Sequence, residues 1–178
     1  MIRRQIICRY DYRCLFFVQI FYDTIYIHIL FFTIVTLNIN IIGNIMIITE
    51  KLKRQVWDKG IIVDQYPSDL VRKDACGAFI MYEHFGNRDS IFGWEIDHIY
   101  PATELKEKGV YTEEQIDNII NLRPLNWKNN VSKGCNYPYY TASLIADDKE
   151  ATNIETSVGK VVNDSIQQEL KNFYNLQE

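Results

Sequence analysis

Two adjacent titratable residues, Asp97 and His98, end a run of apolar and aromatic residues in "GWEIDHIYP", residues 93–101. A buried strand gains nothing from such a pair, because taking charged groups out of water costs free energy. A site that binds a metal ion and activates a water molecule gains from both residues. A carboxylate can hold the ion, and an imidazole that titrates near neutral pH can accept a proton. Downstream, Asn121 and Asn130 offer further polar side chains.

Two strands and a short helix must position these side chains. "IFGWEIDHIYP" predicts a strand that stops at Pro101, and "NIINLRPL" predicts a second strand that reaches Pro124 or Leu125. "NWKNNVSKG" is typical of a short helix, with Asn126 as its N-cap and Gly134 as its C-terminal stop. The order predicts a β-β-α unit with polar groups at three of its corners.

The blocks "GWEIDHIYP" and "NLRPLNWKNNVSKGCNYP" resemble the HNH endonuclease family, whose fold is the ββα-metal motif. The likeness covers roughly residues 54–138, with "RKDACGAFI" and "HFGNRDS" as supporting segments. It includes an acidic residue before the first histidine, a proline three residues after it, Asn-Leu in the second strand and Asn-x-x-Lys on the helix. The resemblance implies an α+β protein with a small ββα-metal core, flanking helices and a C-terminal amphipathic helix.

The resemblance also implies an activity, the metal-dependent hydrolysis of DNA phosphodiester bonds to leave 5′ phosphates. His98 would be the general base, and Asn121 would tie the two strands together and orient it. Asp97 and Asn130 would hold Mg²⁺, Mn²⁺ or another divalent cation through hard oxygen atoms. The 23 residues from His98 to Asn121 exceed the compact family pattern, so Asn118 is an alternative to Asn121.

Asn129 is the alternative to Asn130 on the predicted helix. Asn130 is preferred because Lys133, three residues later, shares its helix face and completes Asn-x-x-Lys. Lys133 is expected to contact a phosphate of the nucleic acid. Glu95 alternates onto the strand face of Asp97 and would either support the site or form a salt bridge. Further candidates for backbone contacts with nucleic acid are Lys128, Arg123, Arg88, Arg72 and Lys73.

The expected partner is DNA, double-stranded in the first instance, and a double-strand cut would favour a homodimer. A non-cutting DNA-binding module of the same fold is one alternative, and an RNase or nuclease toxin is another. The net charge of −4 is not typical of a strongly basic nucleic-acid-binding protein. However, residues 141–178 hold seven acidic residues and only three lysines, so much of the acidity lies in this tail.

The first 45 residues differ in composition from the rest. The first 50 residues contain fourteen isoleucines but no alanine, proline or lysine, and the segment from Tyr26 to Ile42 has no formal charge. Two hypotheses remain open, a misassigned start with the true start at Met46, or a membrane anchor. A secretory signal is disfavoured because a small-residue cleavage site is missing. We expect a cytoplasmic protein, attached to a membrane only if this segment is genuine.

The sequence as a whole suggests three regions. These are the N-terminal segment 1–45, a nuclease domain over residues 46–140 and an acidic helical tail over residues 141–178. In the tail, Val162, Ile166, Leu170 and Phe173 fall at helical spacing. We also predict a helix before Gly60, a strand over "GAFIMYEHFG", a helix start at Thr112 and an irregular "NYPYYTASL". His84 is expected to be structural. The four cysteines form no C-x-x-C pair, which argues against a disulfide framework or a zinc knuckle.

Overall fold

The computed structural model describes residues 46–176. The hypotheses on residues 1–45, the alternative start and the membrane anchor, lie outside the described residues. The contacts of the chain divide it between Met46 and Ile47, and every element below belongs to the unit Ile47–Glu178. Within residues 46–176, no helix combines the length and the apolar character that crossing a membrane requires.

The described elements mix helices with three small antiparallel sheets, so the α+β class is confirmed. In chain order they are α1 (Glu50–Trp57), β1 (Ile61–Ile62), β2 (Val71–Lys73), β3 (Phe79–Met81), β4 (Trp94–His98), α2 (Ala102–Glu107), α3 (Glu113–Ile116), β5 (Leu122–Asn126), α4 (Trp127–Lys133), β6 (Tyr139–Asp147), β7 (Thr152–Val161) and α5 (Asp164–Tyr174). Short 3-10 helices cover Tyr82–His84 and Ile119–Asn121.

The predicted β-β-α order is present in β4, β5 and α4. Strands β4 and β5 are antiparallel, with Asp97 opposite Arg123 and His98 opposite Leu122. The side chain of Asn126 accepts a hydrogen bond from the Lys128 amide and so caps α4, as predicted. Helix α4 ends before Gly134, whose φ of 52° lies in the region that favours glycine.

Helix α1 and the three-stranded sheet β1-β2-β3 form the N-terminal part of the described fold. Thr49 caps α1 through its side chain, and the helix ends before Gly60 as predicted. Trp57, at the end of α1, is fully buried, and its ring lies 5.2 Å from that of Trp94 on β4. This aromatic contact anchors the start of β4, the strand that carries the Asp-His pair.

The predicted strand over "GAFIMYEHFG" is largely wrong. Strand pairing covers only Phe79–Met81, and a 3-10 helix begins at Tyr82. The Tyr82 carbonyl does not continue the strand pairing and instead accepts a hydrogen bond from the indole of Trp94 on β4. The second strand also starts later than predicted, since Ile119–Asn121 is a 3-10 helix and β5 begins at Leu122.

The segment after α4 is more ordered than predicted. "NYPYYTASL" is not irregular, because it opens β6, which pairs with β7 to form a long hairpin. The prediction of a helical tail over 141–178 is therefore wrong for its first half. Helix α5 is present over Asp164–Tyr174, so Val162 lies before it. Leu170 and Tyr174 of α5 are buried, whereas Phe173 is exposed.

Candidate active site

Asp97 lies at the centre of the candidate site, and both of its carboxylate oxygens face cations. Oδ2 accepts a hydrogen bond of 2.8 Å from Nε of Arg123, its cross-strand neighbour. Oδ1 lies 3.1 Å from Nζ of Lys133 on α4. Only 4% of Asp97 is exposed, so the pairing offsets the cost of removing the carboxylate from water.

His98 pairs with a residue that was not predicted from the sequence to belong to the site. Its Nε2 atom lies 2.8 Å from Oδ1 of Asp117, which follows α3. An ionised carboxylate can only accept a hydrogen bond, so this contact favours the imidazole tautomer in which Nε2 carries the proton and Nδ1 carries the lone pair. Nδ1 has no hydrogen-bond partner among residues 46–176. The two side chains are each about one-fifth exposed.

Asn121 joins the end of β4 to the start of β5. Its side chain accepts a 2.7 Å hydrogen bond from the Tyr100 amide and donates a 3.0 Å hydrogen bond to the Tyr100 carbonyl. Its own carbonyl accepts from the Ile99 amide. The predicted tie between the strands is therefore present, and it acts on the backbone just after His98. Asn118, the alternative, instead caps the 3-10 helix through a hydrogen bond from the Ile120 amide.

The two asparagines of α4 have different environments. Asn129 is fully buried, and its side chain binds Asp74 and the backbone of Leu144. Asn130 instead donates its amide N–H to Glu95 at 2.9 Å. Helical rotation by one residue explains the difference, because neighbouring helical residues point about 100° apart. The preference for Asn130 over Asn129 as a metal ligand stays a prediction.

Glu95 links Asn130 to the exposed Arg88. Arg88 forms two hydrogen bonds to the Glu95 carboxylate, of 2.6 and 3.0 Å. Burial acts to raise the pKa of Glu95, but the hydrogen bonds from Arg88 and Asn130 outweigh it and lower the pKa. Glu95 thus forms the salt bridge that was considered for it, and it also holds the Asn130 side chain.

A cavity of about 190 Å³ brings Asp97, His98 and Asn130 to one place. Lys133 and Cys135 also line it. No group of three His, Cys, Asp or Glu side chains within residues 46–176 could enclose a metal ion. The predicted ligands are one carboxylate and one amide oxygen, and this donor set fits Mg²⁺, which takes few protein ligands and keeps several waters. An incoming cation would compete with the Lys133 ammonium for Asp97 Oδ1.

Three of the cations predicted to contact phosphates are instead buried in internal pairs. Lys133 is 1% exposed and donates to the His98 carbonyl at 2.8 Å besides pairing with Asp97. Arg123 binds Asp97 and the Tyr140 hydroxyl. Arg72 binds the Ser68, Asp58 and Gly60 carbonyls and the Asp58 carboxylate. The predicted phosphate contacts of Lys133, Arg123 and Arg72 are corrected here, because each cation is buried and its charged group binds groups inside the fold.

The other predicted cations lie nearer the surface. The Arg88 side chain is 60% exposed. It binds Glu95, which in turn binds Asn130. Nζ of Lys128 lies 3.5 Å from Oε1 of Glu155. Nζ of Lys73 lies 2.6 Å from Oδ1 of Asp148. Their contacts with nucleic acid stay predictions.

A second polar network, which was not predicted from the sequence, contacts β5 and α4. Asp74 is fully buried and accepts hydrogen bonds from the Cys76, Ala78 and Asn126 amides and from the Asn129 side chain. Burial raises the pKa of the Asp74 carboxyl, and these hydrogen bonds lower it in part. Asp74 thus joins the β2–β3 turn to the start of α4.

Comparison of the chain with known proteins gave no match among family models, curated proteins or solved structures. The likeness to the HNH family therefore depends on the motif residues of the sequence.

Proposed function

We propose that the chain is a metal-dependent endonuclease of the HNH type that hydrolyses phosphodiester bonds in DNA. One observation carries the proposal, the convergence of Asp97, His98 and Asn130 on a single cavity. The strand-strand-helix order of β4, β5 and α4 and the tie made by Asn121 support it. The family resemblance supplies the reaction class and the residue roles, and the shared cavity of Asp97, His98 and Asn130 supports them.

In the proposed reaction, water attacks the phosphorus atom, a new P–O bond forms and the P–O3′ bond breaks. His98 accepts the proton of the attacking water at Nδ1, the ring atom that keeps a lone pair. The departing 3′ oxygen takes a proton from solvent, so the products are a 3′ hydroxyl and a 5′ phosphate. A divalent cation at Asp97 and Asn130 would supply the charge that stabilises the phosphoryl and leaving oxygens.

Other residues hold these groups in position. Glu95 fixes the Asn130 amide so that the carbonyl oxygen is free to act as a ligand. Arg123 holds Asp97 Oδ2, which leaves Oδ1 as the oxygen that a cation could share or take over from Lys133. Asn121 holds the backbone that follows His98.

Cleavage of supercoiled plasmid tests the proposal, with Mg²⁺ or Mn²⁺ compared with EDTA. The full chain and the chain from Met46 are assayed in parallel. We expect metal-dependent nicking or linearisation that falls about a hundredfold or more in His98→Ala and in Asn130→Ala. His84→Ala is the matched control, because His84 binds Ser90 and does not line the cavity. Full cleavage by a folded His98→Ala protein would contradict the role of general base.

A non-cutting DNA-binding module is the second candidate. The observation that favours it is the double pairing of Asp97 with Arg123 and Lys133, which satisfies the carboxylate without a metal ion. Retained DNA binding by the folded chain, without cleavage under any metal condition, would favour this candidate over the nuclease.

A further inference from the structure

The segment between β4 and β5 contains a side chain that contacts the His98 ring. Its length made the spacing from His98 to Asn121 unusual, and it folds into α2, α3 and a 3-10 helix. Asp117 is the first residue after α3, and its carboxylate lies 2.8 Å from His98 Nε2. The additional residues therefore bring an acid to the ring of the candidate base.

Asp117 is firmly positioned by its neighbours. Thr112 and Gln115 form a reciprocal capping box at the start of α3, which fixes the turn that leads to Asp117. Ile116, the preceding residue, is buried in the main hydrophobic core. The Tyr174 hydroxyl donates a 2.7 Å hydrogen bond to the Gln115 carbonyl, so α5 also holds this turn.

We propose that Asp117 is a positioning residue that holds His98 in the Nε2-protonated form and leaves Nδ1 as the proton acceptor. This inference deepens the proposed function and rests on it for its catalytic meaning. A neutral imidazole has two tautomers, and a hydrogen bond at one nitrogen selects between them. The carboxylate also stabilises the positive charge that His98 gains when it accepts a proton.

The test combines tautomer detection with kinetics on the full chain. Nitrogen-15 NMR at one fixed pH, at which the imidazole is neutral, reports which ring nitrogen of His98 carries the proton. The chain contains three histidines, and the spectrum of His98→Asn assigns the signals of His98 by difference. Asp117→Ala is compared with Glu114→Ala, which removes an exposed carboxylate from the same helix.

We expect Nε2 protonation in the wild type and in Glu114→Ala, and a mixture of tautomers in Asp117→Ala. Plasmid cleavage by Asp117→Ala should show a kcat lower by about tenfold to a hundredfold, with KM changed less than about twofold. A merely structural contact would leave kcat unchanged in a folded variant.

The two readouts separate the two proposals. An unchanged His98 tautomer in folded Asp117→Ala overturns the positioning role, whatever the cleavage data show. If Asp117→Ala does not fold, the wild-type spectrum tests the positioning role by itself. A proton on Nδ1 of His98 instead of Nε2 would overturn that role. A changed tautomer in a protein that never cuts DNA supports the positioning role and refutes the proposed nuclease.

Discussion

Two buried carboxylates, Asp74 and Asp97, are stabilised in different ways. Asp74 is surrounded by neutral donors, three backbone amides and one asparagine side chain. Asp97 pairs with two side-chain cations at the edge of a cavity. Backbone amides cannot leave without unfolding the chain, whereas a side-chain cation can be replaced by another cation. The comparison indicates a structural role for Asp74 and leaves a binding role open to Asp97.

The largest effect is expected for Asp97→Asn. The substitution leaves Arg123 and Lys133 buried beside a neutral amide, and breaking a buried ion pair from one side costs about 3–5 kcal/mol. Urea denaturation should show this loss. The double variant Asp97→Asn/Lys133→Met should regain a part of it, because one of the two unpaired charges is gone. A double variant less stable than the single variant would contradict the charge argument.

The same substitution at Asp74 is expected to cost somewhat less, about 3 kcal/mol. An asparagine there keeps one acceptor oxygen but replaces the other with an N–H₂ group. The N–H donors that faced the lost oxygen, such as the Cys76 or the Asn126 amide, are then left without an acceptor. No nearby charge is left unpaired, so no second substitution of a cation should restore stability. Urea denaturation of Asp74→Asn, with exposed Asp69→Asn as control, measures the loss. Stability equal to that of Asp69→Asn would show that the network contributes little.

A smaller effect, on binding, is expected for Lys133→Met. Removing the ammonium from Asp97 Oδ1 removes its electrostatic competition with a divalent cation, so the affinity for Mn²⁺ should rise about tenfold. Titration calorimetry measures this without any cleavage assay. Lys128→Met is the control, because Lys128 pairs with Glu155 and does not line the cavity. Equal Mn²⁺ affinity in wild type and Lys133→Met would refute the competition.

The smallest effect is expected for Glu95→Gln, and it depends on pH. The pKa of Glu95 is lowered in the folded protein, so its stabilisation is present above the ordinary value of 4.5 and is lost as the pH falls through the folded-state pKa. At pH 7 the variant should lose less than about 1 kcal/mol, because the salt bridge with Arg88 is partly exposed. Denaturation at pH 7 and pH 3 should show a difference that shrinks in acid. A difference that grows in acid would contradict the lowered pKa.

Local sequence signals predicted the elements that carry the site. Asn126 and Gly134 mark the two ends of α4, and Thr112 marks the start of α3, because caps depend on a few neighbouring residues. The β6–β7 hairpin was missed. Tyr140, Ala142 and Leu144 of β6 are buried in alternation. In β7 an extra residue lies between Glu155 and Val158, and an irregularity of this kind interrupts the alternation by which strands are recognised.

The amino-acid sequence alone determined which residues could do the chemistry and the order of the strands and helix that carry them. Only the tertiary structure decided what each side chain contacts. It brought Lys133 inward to Asp97, joined Asp117 to His98, and separated the buried Asn129 from Asn130 in the cavity. The physical reason is that buried charges and polar groups must find partners, and those partners come from elements that are distant in sequence.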